Sequence, residues 1–197
     1  PRMCGVAGRR IVEMVWEDLT LDSILTSAAF DNAIKVHMAM GGSTNAIIHV
    51  IAMARRAGIP LDMRRFDQIS REIPVLANVR PSGKYLMEDF FYAGGLRALM
   101  MELRDKLDLS CLTVTGKTVG DNIAGAEVYL RDVIHSVADP IYAEGATAVL
   151  TGNLAPRGCV MKPAAADQRF LKHRGLALAF GPLNVAGVFG DGSNAGI

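Results

Sequence analysis

The sequence predicts an α/β protein whose first part is rich in helices and whose second part is rich in strands. Up to about residue 110, apolar residues recur at the three- and four-residue spacing of amphipathic helices, interrupted by glycine and proline. Beyond that point, short alternating or β-branched runs separated by turn residues predominate, as is typical of strands. We therefore place a domain boundary at Ser110, between a unit over residues 1–110 and a second over 111–197.

The first unit contains predicted helices with recognisable ends. In Arg9–Val15 the residues Ile11, Met14 and Val15 share one face, which predicts that this face is buried while the arginines face water. Thr26 is predicted to begin a helix that leads into the Gly41-Gly42 loop. Further helices are predicted from that loop to Gly58 and over 64–71, 86–92 and 96–107.

One strand is predicted inside the helical unit and five after it. The run Val75–Val79 is short, apolar and bounded by proline, which indicates a buried strand. The later predicted strands are 112–115, 133–134, 147–150, 159–161 and 176–180.

Composition excludes several classes of protein. A net charge of +1 argues against nucleic acid or acidic membrane surfaces as partners. No apolar run reaches membrane-spanning length without a charge or a glycine, and no signal peptide is recognised. Cys4, Cys111 and Cys159 are far apart, so we expect free thiols in a reducing, cytoplasmic compartment. Their spacing neither supports nor excludes an iron–sulfur cluster.

The densest chemistry lies in the loop Met40–Ala46. Two glycines permit a sharp turn, and Ser43, Thr44 or Asn45 can then cap the following helix. A small-residue loop at a helix N-terminus is suited to bind an anion, because unpaired N–H groups and the positive end of the dipole point outward. We therefore take Gly42, Ser43, Thr44 and Asn45 as candidate ligand-binding residues. The alternative is an ordinary helix cap without a ligand.

A second candidate is the turn Pro81–Tyr85, which follows the predicted strand Val75–Val79. Proline and glycine shape this turn and leave Ser82 and Lys84 at its tip. Polar side chains at the C-terminal ends of strands often contact ligands in α/β proteins. A solvated surface lysine is the alternative interpretation for Lys84.

Other chemistries lack support in the sequence. Gly116-Lys117-Thr118 resembles the end of a phosphate-binding loop, but Cys111 stands where that loop requires its first glycine. The four histidines show no paired spacing with each other or with the cysteines, so no zinc site is predicted. No two acidic residues can be assigned as a catalytic acid and base.

Six short motifs occur in a specific order along the chain. They are Met40–Ala46, Arg80–Tyr85, Phe91–Leu96, Thr113–Thr118, Gly152–Pro156 and Lys172–Gly175. The series resembles the iron–sulfur dehydratases that act on dihydroxy acids, 6-phosphogluconate and sugar acids such as arabinonate and xylonate. Arg9–Met14 and Tyr85–Phe90 are most similar to the sugar-acid branch. The resemblance runs from about Arg9 to Phe180, and residues 181–197 do not share it.

This resemblance implies the end of a helix-rich α/β domain followed by part of a β-rich swivelling barrel domain. It implies a fragment of a hydro-lyase that converts a 2,3-dihydroxy (sugar) acid into a 2-keto-3-deoxy acid. Full-length members use an iron–sulfur cluster and Mg, but their ligands and the serine base match no residue here. We therefore carry over no catalytic or metal-binding residue and expect this chain alone to bind neither cofactor.

Two further expectations follow from the resemblance. A barrel that is only partly present exposes sheet edges and apolar surface, so we expect a homo-oligomer. The alternative to an enzyme fragment is a non-catalytic binding or assembly module that retains the scaffold.

Overall fold

A computed structural model describes residues 2–163 as helices with one small sheet. The helices are α1 (Arg2–Trp16), α2 (Leu21–Ile24), α3 (Ser27–Met40), α4 (Thr44–Arg56), α5 (Met63–Glu72), α6 (Met87–Tyr92), α7 (Gly95–Glu102), a 3₁₀ turn (Arg104–Lys106) and α8 (Val119–Ile123). Strands β1 (Ala148–Leu150) and β2 (Cys159–Met161) pair antiparallel, with Val149 opposite Val160. This arrangement is consistent with an α/β chain, whereas the barrel and the boundary at Ser110 stay predictions.

Local capping explains where the central helices begin and end. The Thr26 side chain accepts a hydrogen bond from the amide of Ala29 and begins α3, as predicted. The Asp62 carboxylate accepts from Arg64 and Arg65 and begins α5. Gly58, with a φ of +71°, follows the end of α4, which confirms the predicted stop.

Helix α1 differs from its prediction. Only Met14 is buried, while Ile11 and Val15 are 58% and 74% exposed, so the predicted burial of this face is wrong. The helix is held instead through Arg10, whose Nε donates to the carbonyl of Val114 at 2.6 Å and whose guanidinium pairs with Glu17.

Within residues 2–163, no helix combines the length and the apolar character that crossing a membrane requires.

The predicted strand Val75–Val79 is an extended, buried segment rather than a member of a sheet. Its residues form single bridges to three different places, namely Tyr142, Ile134 and Tyr85, so no ladder develops. The amides of Leu76 and Ala77 both donate to the carbonyl of Ala39 at the end of α3. The segment is therefore extended and buried as predicted, but it connects α3 with the chain around residues 133–142.

The other predicted elements have mixed outcomes. The strands at 147–150 and 159–161 are confirmed as β1 and β2. Residues 112–115 form no strand, because Leu112 bridges only Thr118 across a turn in which Gly116 has a φ of +76°. Ile134 forms one isolated bridge, and the helix predicted over 96–107 tightens into the 3₁₀ turn. The strand predicted at 176–180 lies outside the described residues.

A single large core joins α3, α5 and α7 to the extended segment. Its members are almost completely buried, and they include Ile34, Met38, Phe66, Ile69, Leu76, Leu99, Leu103 and Ile134. Buried Asn32 supports this core through paired hydrogen bonds with the backbone of Asp108, at 2.8 and 2.9 Å. The end of α3, which carries the candidate loop, is thus anchored in the larger of the two hydrophobic clusters of the described residues.

The core predicts that two phenylalanines make very different contributions to the free energy of unfolding. Phe66 is 1% exposed and Phe91 is 73% exposed. We expect Phe66→Ala to lower the free energy of unfolding by about 3–5 kcal/mol, because burial is lost and a cavity is left. Phe91→Ala is the matched control and should change it by less than about 0.5 kcal/mol. Urea unfolding of both variants measures the difference, and equal losses would contradict this description of the core.

Candidate functional site

The candidate site is the turn between α3 and α4, which we call the glycine turn (residues 41–43). Gly41 has a φ of +65° and ends α3, and the amides of Gly41 and Gly42 return to the carbonyl of His37. Ser43 then begins α4, with its hydroxyl accepting from the amide of Asn45 at 3.3 Å. The predicted sharp turn and the predicted cap are therefore both present, and Ser43 is the capping residue.

The second predicted turn brings Ser82 to the glycine turn. A Cβ built on Gly41 would lie 4.0 Å from Ser82 Oγ, so this hydroxyl lies against the backbone of the turn. Ser82 Oγ is buried and has no hydrogen-bond partner among the described residues. Two candidates from separate parts of the sequence thus meet in space.

Lys84, the other residue of that turn, faces elsewhere. Its side chain is exposed, and its ammonium group lies 5.4 Å from the centre of the Tyr85 ring. Its amide donates to Asn78 Oδ1 at 3.0 Å, which fixes the backbone of the turn. In this structure, Ser82 is the member of the pair that approaches the glycine turn.

Two residues that the sequence interpretation did not select complete the surroundings of the turn. The imidazole of His37 packs on Gly42 so closely that a Cβ there would collide with Nδ1, and its Nε2 is buried without a partner in the described chain. Lys162 Nζ donates to the carbonyls of Gly41 at 2.6 Å and Gly42 at 3.3 Å. Lys162 directly follows the predicted strand 159–161, as the turn that carries Lys84 follows Val75–Val79, and that position was the available signal.

The electrostatics of these groups follow from burial. Burial, together with the nearby Lys162 ammonium, lowers the pKa of His37 below its ordinary value, so the imidazole is neutral at pH 7. Burial also lowers the pKa of Lys162. The positive end of α4 begins at the same turn, which makes this region favourable for a ligand with negative charge.

Thr44 and Asn45 directly follow the glycine turn and also line one end of an open cleft of about 810 Å³ that runs along α4. Its walls are mainly apolar, with Ile47, Ile48 and Ile51 from α4 and Val160 from β2. Arg55 and Arg56 lie at the other end of the same helix. Since few polar groups converge there, the cleft is a poorer match for a hydroxylated acid than the glycine turn.

The described residues do not fit an iron–sulfur cluster or a protein-held Mg ion. No three His, Cys, Asp or Glu side chains among residues 2–163 come together in a way that could hold a metal. Cys111 is buried beside α8, while Cys4 and Cys159 are exposed in α1 and β2. We therefore route no chemical step through a metal in these residues.

Comparison with known proteins identifies the chain. The dihydroxy-acid/6-phosphogluconate dehydratase N-terminal model matches residues 1–122, and the corresponding C-terminal model matches residues 132–185. The chain belongs to the dihydroxy-acid/6-phosphogluconate dehydratase family. This confirms the resemblance seen in the ordered motifs.

Several curated dehydratases share nearly half of their residues with this chain over the matched stretch. L-arabonate dehydratase of Azospirillum brasilense is 47% identical over 181 residues, covering 90% of this chain and 31% of the relative. 6-Deoxy-6-sulfo-D-gluconate dehydratase of Pseudomonas putida is 47% identical, with coverages of 91% and 32%. Dihydroxy-acid dehydratase of Methanosarcina barkeri is 45% identical, with coverages of 91% and 33%. The chain thus spans about a third of the length of these relatives.

The lowered pKa of His37 predicts a specific pH dependence of stability. Because this pKa is lower in the folded chain, the unfolded chain takes up the proton first as the pH falls. The stability from neutral His37 is therefore present above about pH 6.5 and is lost as the pH falls through the folded pKa.

We expect His37→Gln to reduce the loss of stability between pH 7.5 and pH 5, measured by urea unfolding at each pH. His49→Gln is the matched control, because His49 is exposed on α4. An unchanged pH dependence in His37→Gln would contradict the burial of a neutral imidazole.

Proposed function

We propose that this chain is part of a hydro-lyase that dehydrates a 2,3-dihydroxy sugar acid to a 2-keto-3-deoxy acid. The observation that carries the proposal is the glycine turn, where the N-terminus of α4, Ser82 and the Lys162 ammonium converge within a chain of the dehydratase family. Gly42, Ser43, Thr44, Asn45 and Ser82 bind and orient the acid in this proposal. Lys84, whose exposed ammonium group lies beside the Tyr85 ring, is kept as a candidate contact for a part of the acid that extends beyond the glycine turn.

The reaction needs two groups besides those that bind substrate. A base removes the C2 proton, and a Lewis acid assists departure of the 3-hydroxyl; the enol that forms then tautomerises to the keto acid. The resemblance assigns these roles to a serine, an iron–sulfur cluster and Mg of the full-length family. In this proposal the residues described here orient the acid. Orientation of the substrate accounts for a large part of the rate acceleration of many enzymes.

The sugar-acid assignment rests on the named relatives and on the polarity of the turn. Two of the compared relatives are named for the acids arabonate and 6-deoxy-6-sulfo-D-gluconate, and a third is named for dihydroxy acids in general. An imidazole and a serine hydroxyl without partners can hydrogen-bond a polar group of such an acid, so the turn suits a polar substrate.

The alternative is a non-catalytic binding or assembly module that retains the family scaffold. Such a module would use the same glycine turn, where the unpaired groups of His37 and Ser82 can bind an acid without any reaction. A measurement of iron, sulfide and dehydratase activity on L-arabinonate in the purified chain can exclude the module but cannot exclude the enzyme fragment. Stoichiometric iron with turnover would exclude the module and would also overturn our assignment of the cysteines.

A chimera tests the enzyme reading directly. The 181-residue stretch of the Azospirillum enzyme that matches this chain is replaced by the corresponding residues of this chain. We expect the chimera to dehydrate L-arabinonate, measured as formation of the 2-keto-3-deoxy acid. A folded chimera that carries its cofactors and shows no turnover would count against the proposal.

Ser43→Ala in the chimera is expected to lower kcat/KM by about three- to tenfold, because one hydrogen bond and the α4 cap are lost. Thr26→Ala is the matched control. Thr26 caps the N-terminus of α3 in the same way, at the end of that helix that lies opposite the glycine turn. Loss of a cap alone costs about 1 kcal/mol of stability in both variants, but only Ser43→Ala should alter the kinetics. Equal kinetics in the two variants would remove Ser43 from the site.

We also propose that the chain forms a homo-oligomer. Val15 and Trp16 at the end of α1 are 74% and 85% exposed, and Met3 on the same helix is 75% exposed. Apolar surface of this kind favours association. We expect light scattering to show a mass of at least a dimer, and Val15→Glu/Trp16→Glu to shift it towards the monomer. A monomeric parent chain would refute this.

A further inference from the structure

The unpaired buried groups of the described chain concentrate around the glycine turn. Three buried side-chain atoms among residues 2–163 lack a hydrogen-bond partner, namely His37 Nε2, Ser82 Oγ and Thr147 Oγ1. His37 packs on Gly42 and Ser82 lies against Gly41. Thr147 follows Ala146, whose Cβ is 3.7 Å from a Cβ built on Gly41. Buried polar atoms are rarely left unpaired, so the meeting of His37 and Ser82 at one turn indicates a ligand position.

Lys162 adds a positive charge to this position. Its ammonium group has three N–H donors, and the contacts to Gly41 and Gly42 use two of them. Within residues 2–163, no Asp or Glu side chain forms an ion pair with it. Placing an ammonium group in a partly buried position without an anion is unfavourable, because its lost hydration is only partly replaced.

We propose that Lys162, Ser82 and His37 form a subsite for one oxyanion group of the acid bound at the glycine turn. The identity of that acid rests on the proposed function, whereas the subsite itself rests on these three side chains. The oxyanion supplies the missing counter-charge of Lys162 and accepts hydrogen bonds from Ser82 Oγ and from Nε2 of a neutral His37 that carries its single ring proton there. His37 Nε2 and Ser82 Oγ then have a partner, whereas Thr147 Oγ1 is not part of the subsite.

The neighbouring charges favour this occupant over a neutral one. The N-terminus of α4 begins at Ser43, one residue beyond the carbonyl that Lys162 contacts, and its dipole adds to the positive potential. The imidazole is neutral, so it donates a hydrogen bond without repelling Lys162. A carboxylate has two oxygens that each accept more than one hydrogen bond, so it can satisfy all three groups or share them with another ligand.

The test compares three probes on the complete 197-residue chain by isothermal titration calorimetry at constant ionic strength. L-arabinonate carries the carboxylate, L-arabinitol is its neutral polyol counterpart, and sodium sulfate supplies an oxyanion without a sugar. Lys162→Met removes the charge and Lys162→Arg keeps it. Lys106→Met is the matched control, because Lys106 Nζ also donates to a carbonyl at a helix end, that of Glu72 in α5, at 3.1 Å.

We expect the parent chain to bind L-arabinonate about tenfold or more tightly than L-arabinitol, because hydrogen bonds to charged groups are the stronger ones. Lys162→Met should abolish this preference, while Lys162→Arg and Lys106→Met should retain it. Ser82→Ala should weaken arabinonate binding by a few fold. Thermal unfolding of each variant verifies that it is folded at the temperature of the titration.

The outcomes separate this subsite from the proposed function. Equal arabinonate binding by the parent chain and a folded Lys162→Met variant overturns the subsite and leaves the acid-binding role standing. Lys162-dependent binding of sulfate without binding of arabinonate supports the subsite and contradicts the proposed substrate class. A parent chain that binds neither arabinonate nor sulfate overturns the subsite, and the chimera then decides the enzymatic role separately.

Discussion

The free carbonyl groups at the C-terminal end of α3 hold the described chain together. A helix ends with carbonyls that have no partner inside it, and each must find one elsewhere. His37 O receives the amides of the glycine turn, Ala39 O receives Leu76 and Ala77, and Lys162 covers Gly41 and Gly42. One helix end therefore joins the following helix, the buried extended segment and the chain just after β2. The geometry of the candidate site is a direct consequence of satisfying these carbonyls.

At this helix end, tightly packed apolar side chains lie beside buried polar groups that have no hydrogen-bond partner in the described chain. Met38 and Ala39 are completely buried in the core, so the backbone beneath the turn is rigid. On the other side of that backbone, His37 and Ser82 keep polar atoms without partners in the described chain. Buried polar groups are usually paired, so two unpaired groups beside one turn indicate that the turn can bind a ligand. A rigid backbone together with the unpaired groups of His37 and Ser82 is suited to orient a bound acid.

Local signals in the sequence were sufficient for most of the helices and for the turn. Thr26, Ser43 and Asp62 act as caps, and Gly41 adopts a left-handed conformation, because these effects involve neighbours within a few residues. The strand predictions were less successful. Whether Val75–Val79 forms a sheet depends on distant partners, and its bridges to Tyr142, Ile134 and Tyr85 come from separate segments. The burial of α1 was wrongly predicted for the same reason, since an amphipathic face does not specify what packs on it.

By itself, the sequence determined the family, the glycine turn and its capping serine, because ordered motifs and caps are properties of contiguous residues. Only the tertiary structure brought Ser82, His37 and Lys162 to that turn and left Lys84 exposed. Lys162 is far from the turn in sequence, and the hydrogen bonds that connect them depend on the packing of the intervening chain. Long-range contacts of this kind carry no local periodicity, so no pattern of neighbouring residues could show that these side chains meet at one turn.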